Sequence, residues 1–348
     1  MSESTRELTR RSALKNGFVA AITPVLFPAS ALGQTAIAKA QRPELRVGCL
    51  SWCFHSFDPG ADPEEAIEII GSLGFEGVEL IVLAPDDLKT FWTDAKIDRL
   101  RAKLDRHKLH VAQVMLFQPV VEGLTSLDTK ERTKSLDNFA AGCRIVEKLG
   151  SKMVDIVAPW PRELHGPSQP KYLPRYYDIE DPQPGQKFHI DLDPGFDWDR
   201  VWSTWIDTVR ECVRRAKDFG LRFSIEHHTH CVVPDAASFL RLWDTVQDRH
   251  LGYSLDTGWT LIQREYPPVA IHKVKEQLMN VHIRDIDGHM RKFVHFGQGV
   301  MDVKAVVEAL KQVGYRGFVS IEQDKHPGDM RQTCQRYLRA MREYISGG

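Results

Sequence analysis

The chain has little of what marks several large classes. Its longest weakly apolar stretch, Gly17 to Leu32, is broken by Pro24 and Pro28 and is too short for a good membrane span. Its six cysteines (Cys49, Cys53, Cys143, Cys212, Cys231 and Cys334) are scattered, with no paired spacing of the zinc-binding kind. A net charge of -1 gives no general field for a phosphate backbone, so no nucleic-acid partner is expected. Phosphate-loop and dinucleotide glycine fingerprints are missing: Gly297-Gln298-Gly299 lacks both a preceding strand and a third glycine. What remains, 42% apolar and 27% charged, is ordinary globular composition and nothing in it suggests disorder.

The first forty residues differ from the rest. Thr9-Arg10-Arg11-Ser12-Ala13-Leu14-Lys15 places paired arginines ahead of the weakly apolar stretch, and Ala36-Ile37-Ala38 supplies a small-x-small cleavage signal. A charged start, apolar middle and small-residue end define an export signal, here residues 1–38, and the twin arginines point to the Tat machinery, which carries folded proteins. Ala13 departs from the pattern, standing where a bulky apolar residue is usual. A bacterial periplasmic location is the expectation. The removed segment carries four basic and two acidic side chains, which leaves the mature chain at -3.

From residue 39 to 348, short apolar runs alternate with amphipathic helical stretches. The runs are Arg46–Trp52, Gly77–Val82, His110–Leu116, Lys152–Ala158, Arg222–His227, Gly252–Asp256, Asn280–Arg284 and Gly317–Glu322. They read as buried parallel strands. Between them Ala66, Ile69, Ile70 and Leu73 share one helical face, as do Leu136, Phe139, Ala140, Cys143 and Val146, and Val303, Val306, Val307, Leu310 and Val313. Glycine follows three helices, at Gly74, Gly150 and Gly220. Eight β-helix units in series predict a single-domain α/β fold, the (β/α)₈ TIM barrel.

One connection is abnormal. The 158–197 loop has no helical or strand periodicity and holds eight of the nineteen prolines, with Trp160, Tyr172, Tyr176 and Tyr177. It follows the fourth strand, so it leaves from the catalytic face of a barrel. It reads either as a lid over the substrate or as a surface decoration or homo-oligomer contact.

Reactive residues of such barrels stand at the carboxyl ends of strands. Strands five to eight end on Glu226, Asp256, His282 and Glu322, at intervals of 30, 26 and 40 residues, each about one β-helix unit. Three carboxylates and one imidazole converging on one side of the mouth suit a divalent ion such as Mn²⁺, and also Zn²⁺, Co²⁺ or Mg²⁺. His228, two positions past Glu226, is a candidate general acid or base. Glu79, near the end of strand two, is a candidate substrate contact. His55, His230 and His295 are weaker and fit surface or supporting roles.

The segments Gly74-Phe75-Glu76-Gly77-Val78-Glu79-Leu80, Ser224-Ile225-Glu226, Leu255-Asp256-Thr257-Gly258, Val281-His282-Ile283-Arg284-Asp285 and Gly297-Gln298-Gly299 resemble the sugar phosphate isomerase/epimerase superfamily. This xylose-isomerase-like barrel group includes ketose 3-epimerases, inosose dehydratases and AP endonucleases. The resemblance spans residues 45–345. It implies that Glu226, Asp256, His282 and Glu322 bind one divalent metal, Mn²⁺ or Co²⁺, and that Glu226 and Glu322 exchange a proton on opposite faces of a sugar. Two departures touch substrate contacts: Trp259 stands where a histidine is common, and Arg284 where strand seven often has lysine.

A proton next to a carbonyl is too weakly acidic for a carboxylate unless the developing negative charge is stabilised, which a metal supplies. Returning the proton to the other face gives epimerisation; expelling a neighbouring oxygen substituent gives elimination. Export and the lack of an evident phosphate cluster point to a non-phosphorylated carbohydrate. A lyase that cleaves a 3-keto-glycoside at the same site is the main alternative. A metal-dependent hydrolase or endonuclease would want more ligands and a basic face, and a non-catalytic sugar binder would not need four ligands in phase.

Overall fold

The runs of Val, Ile and Leu close into a barrel because they have no solvent face to offer. The computed structural model describes residues 45–165, 185, 191–289, 292–323 and 328–347. The expected export signal and most of the 158–197 loop lie outside the described residues. The strands are β1 (Leu45–Leu50), β2 (Gly77–Val82), β3 (His110–Leu116), β4 (Met153–Val157), β5 (Arg222–Glu226), β6 (Leu251–Asp256), β7 (Leu278–Ile283) and β8 (Gly317–Ile321). β2, β4, β6 and β7 are buried at every position. All eight pair in parallel, and β1 bonds to both β2 and β8, which shuts the sheet into a barrel and leaves no edge. These are the eight runs expected from the sequence: β2 and β3 match theirs end to end, and the others differ by one or two residues at one or both ends.

A main helix follows each strand: α1 (Glu64–Leu73), α2 (Asp94–His107), α3 (Thr129–Lys148), α4 (Trp198–Asp218), α5 (Ala236–Val246), α6 (Pro267–Val274), α7 (Val303–Gln312) and α8 (Met330–Ser346). Local chemistry sets their starts. Thr93, Asp128, Asp197, Asp235, Asp302 and Asp329 each accept a backbone N–H of the first turn. The apolar faces of the helices pack on the barrel's outer face, as where Phe139 of α3 meets Phe223 of β5 edge-on at 5.1 Å. No helix among the described residues is long and apolar enough to cross a membrane.

The long loop does contain regular structure, against expectation. Leu164–His165 and Asp191–Leu192 form a two-stranded antiparallel pair, too short to show as periodicity. Trp160 is buried at the base of this loop, its carbonyl accepting from the Thr125 hydroxyl at 2.7 Å.

Candidate metal centre

Strand alternation sends every second side chain inward, and in this barrel those positions are polar. Ser224, Ser254, Asn280 and Ser320 each lie two residues before Glu226, Asp256, His282 and Glu322, so each ligand candidate stands above a polar neighbour on its own strand. Glu79, Gln113 and Asp155 complete this interior, and all seven supporting residues are fully buried.

One ligand-type atom from each of the four residues lies within 4.8 Å of the others. Glu226 Oε2, Asp256 Oδ2, His282 Nδ1 and Glu322 Oε2 are buried and make no hydrogen bond. Their partner atoms explain the orientation of three of them. Asp256 Oδ1 accepts the Trp259 backbone N–H at 2.8 Å, capping the short helix Thr257–Ile262 and turning Oδ2 into the site. Glu322 Oε1 accepts from Trp52 Nε1 at 3.2 Å, which frees Oε2. His282 Nε2 lies 2.8 Å from Glu79 Oε2. A carboxylate only accepts, so Nε2 carries a proton, and Nδ1 is the nitrogen that faces Glu226 Oε2 at 3.3 Å and Glu322 Oε2 at 3.2 Å. Glu79 Oε1 is bound in turn by the Asn280 amide at 3.0 Å.

Burial and neighbouring charges push the titratable groups of this cluster in different directions. Burial raises the carboxyls of Glu226, Asp256 and Asp155 above their ordinary range. Burial also opposes the charge of Glu322, yet Arg284, His282 and Trp52 hold its pKa to about 2. Burial opposes a charge on His282 too, but Glu79 and Glu226 raise its pKa well above the usual histidine value. Buried oxygens and an imidazole nitrogen aimed at one point form a donor set that fits a divalent ion, and such an ion would replace the shared protons. The four residues therefore fit the metal site that spacing predicted.

The other candidates divide. Arg284 borders the centre: its guanidinium lies 3.5 Å from Asp256 Oδ2 and 3.4 Å from Glu322 Oε1, over the Phe293 ring at 3.6 Å. Trp259 packs beside it, 4.9 Å from Phe293, and meets the His228 ring at 3.5 Å; Trp160 lies edge-on to His228 at 6.0 Å. Arg284, Trp259 and His228 thus share one wall. Glu79 lies elsewhere than a substrate contact would: it is fully buried under His282, with both oxygens engaged by barrel residues. His55 bonds to Ser51 and to the Ser56 carbonyl, and His295 to Thr333. His230 takes a left-handed backbone with φ of 68°.

Two motifs prove to be one structural device. Asp285 accepts four backbone N–H groups, from Ile286, Gly297, Gly299 and Met301 at 2.9 to 3.2 Å. The Gly297-Gln298-Gly299 turn is thereby folded onto the end of β7, next to Arg284. A Cβ at Gly299 would stand 2.1 Å from Asp285 Oδ1, so glycine is required by close approach. Trp52, Gln113, Asp155 and Asn280 were missed in the sequence. The signal for three of them was present, as polar residues at inward-phase positions inside otherwise apolar runs.

Residues 67–343 match the family described as Xylose isomerase-like TIM barrel. Inosose dehydratase of Lacticaseibacillus casei is 22% identical over 281 residues, 76% of this chain and 83% of that protein. Among solved structures, D-psicose 3-epimerase from Clostridium cellulolyticum H10 is similar with a TM-score of 0.67 at 18% identity, covering 87% of this chain and all of that one, 100%. The 3-keto-D-glucoside 4-epimerase YcjR from E. coli is similar with a TM-score of 0.64 at 17% identity, covering 86% and 99%. With a closed eight-stranded barrel and a family match over most of its length, the chain belongs to the xylose isomerase-like TIM barrel family.

Proposed function

We propose that this protein is a divalent-metal-dependent isomerase or epimerase that moves a proton next to a carbonyl on a non-phosphorylated carbohydrate. The observation that carries this reading is the convergence of four buried, unbonded ligand atoms at the carboxyl end of the barrel. The family relatives whose names denote sugar epimerases and an inosose dehydratase support the substrate class.

A bound divalent ion, Mn²⁺ in our reading, would polarise the substrate's carbonyl. Glu226, Asp256, His282 and Glu322 would hold it. Glu226 and Glu322 come from β5 and the end of β8, with β6 and β7 between them, so they flank His282 from two sides. One takes the proton from the carbon beside the carbonyl and the other returns it to the opposite face. Trp259 and Phe293 offer apolar rings for the sugar's C–H faces. The Arg284 charge is already engaged by Asp256 and Glu322, which suits an uncharged substrate. His228, against Trp259, is our candidate for a further general acid or base.

The same proton removal followed by loss of a neighbouring oxygen substituent is elimination, the second reading. It is favoured by the inosose dehydratase likeness, which extends over 76% of this chain. In that form the substrate is a 3-keto-glycoside and the products part at the glycosidic bond.

The test is turnover in D₂O of ketoses and 3-keto-glycosides by the metal-loaded protein, followed by NMR. The expected result is deuterium uptake beside the carbonyl, or, where the base returns its own proton, a primary isotope effect with substrate deuterated at that carbon. Glu322→Gln should cut the rate by more than ~10²-fold, since it removes a base and weakens a ligand. Turnover with ¹⁸O incorporation and neither deuterium uptake nor isotope effect would mean hydrolysis and sink the proposal.

A further inference from the structure

The barrel has a second mouth, at the amino ends of its strands, which the chemistry above does not use. A cavity of about 260 Å³ opens there. Its wall carries Arg46 of β1, Lys152 just before β4, Arg222 at the first position of β5 and Arg316 just before β8, with His110 opening β3. No aspartate or glutamate is among the described residues that line it.

The register fixes where these cations stand. Arg46 is opposite Phe318 across the β1–β8 pair, which sets Arg46 and Arg316 on adjoining strands. The Arg222 N–H donates to the Lys152 carbonyl at 2.9 Å across the β4–β5 pair. In the order β1-β8-β7-β6-β5-β4-β3-β2 these two pairs of strands are diametrically opposed. Two cationic pairs therefore face each other across one opening. Arg46 lies over the Phe318 ring at 4.0 Å and the His110 ring is 6.5 Å from the same phenyl group, so this wall is packed.

Arg46, Lys152 and Arg222 pair with no carboxylate among the described residues, whereas cations of the helix layer do. Lys96 meets Asp62 and Glu64, Lys103 and Arg106 meet Glu68, and Arg214 and Arg215 meet Glu211. Like charges held around a concavity repel one another and raise the local concentration of anions. The volume is at the small end for ligand pockets and suits one phosphate group with a short substituent.

We propose that this amino-end mouth binds a small dianion of the phosphate class, inorganic phosphate or a small phosphate monoester, between the Arg46/Arg316 and Lys152/Arg222 pairs. Charge-assisted contacts from planar guanidinium groups match its oxygens. The cavity also reaches Asn280, whose amide nitrogen bonds Glu79 and lies 3.0 Å from His282 Nε2. The site therefore abuts the hydrogen bonds that orient the metal's histidine, and it stands apart from the carbohydrate chemistry at the other mouth.

The test is calorimetric titration of the full chain, metal-loaded and metal-free, with inorganic phosphate and separately with glycerol 3-phosphate, at ionic strength matched with sodium chloride. Saturable one-site binding is expected in both forms of the protein. The Lys152→Gln, Arg222→Gln double variant should bind about tenfold or more weakly, and Arg222→Lys, which keeps the charge but loses the planar fork, should fall between it and the wild type. Tighter binding of phosphate marks the free anion as the occupant; tighter binding of the ester marks the monoester. Four results would overturn the proposal: no heat beyond the chloride control, equal affinity in the double variant, binding that disappears with the metal, or a double variant that only melts earlier with its phosphate response intact.

Discussion

Replacing Glu79 by glutamine tests the orientation of the metal site without touching a ligand. Glu79 accepts the His282 Nε2 proton at 2.8 Å inside a fully buried pair, so it sets which nitrogen faces the candidate metal position. Glu79→Gln keeps the volume and one acceptor but removes the charge that makes the imidazole a better donor to the ion. Loss of such a partner typically weakens metal binding by about 10- to 100-fold, or about 1.4 to 2.7 kcal/mol. At a metal concentration one hundred times the wild-type Kd, binding stabilises the native protein by about 2.7 kcal/mol, and the variant at that concentration would retain about 0.4 to 1.4. For a chain of this length that reduces a metal-induced rise in Tm of roughly 5 °C to about 1 to 3 °C. The assay is competition with a chromogenic chelator for Mn²⁺, with melting curves run in and out of metal. Glu79→Leu goes further, leaving the His282 N–H and the Asn280 amide unsatisfied, and should destabilise even the metal-free protein by about 1 to 3 kcal/mol per group. A folded Glu79→Gln protein with the wild-type Kd would refute the reasoning.

Trp52→Phe removes the indole donor to Glu322 Oε1 and keeps most of the ring, so it should weaken metal binding by about tenfold in the same titration; an unchanged Kd would show that this bond does not orient the carboxylate. Asp256→Ala should lose most bound metal by elemental analysis, and undiminished metal in it and in Glu226→Ala and His282→Ala would remove the assignment. Gly299→Ala forces a methyl to within 2.3 Å of the Ile286 carbonyl as well as against Asp285, and should cost about 1 to 3 kcal/mol in denaturant unfolding. We propose that residues 1–38 direct export by the Tat route: a reporter fused after Lys39 should reach the periplasm and should stay in the cytosol when Arg10 and Arg11 are both lysine, and a wild-type fusion retained inside would end that idea.

The strands and the ligand set were legible because both obey short periods. A buried parallel strand is an unbroken apolar run, and one β/α unit recurs after about thirty residues, so Glu226, Asp256, His282 and Glu322 could be placed in phase from spacing alone. The alternation of a strand carries a signal for Ser224, Ser254, Asn280 and Ser320 as well, two positions before each ligand candidate, but it says only that they share a face and was not read for them. The antiparallel pair Leu164–His165 with Asp191–Leu192 was not legible, since two residues cannot display a period.

The sequence by itself determined the number and order of the strands, the face each side chain takes, and the four residues that end strands five to eight. Only the tertiary structure decided which residues of different strands meet. Glu79 reaches His282 across 203 positions of chain, and Arg46, Lys152, Arg222 and Arg316 gather from four separate units. The physical reason is closure: strand tilt and stagger set the height at which each inward residue stands, and a local pattern carries the phase of a strand but not its height against one that it meets only when the barrel shuts.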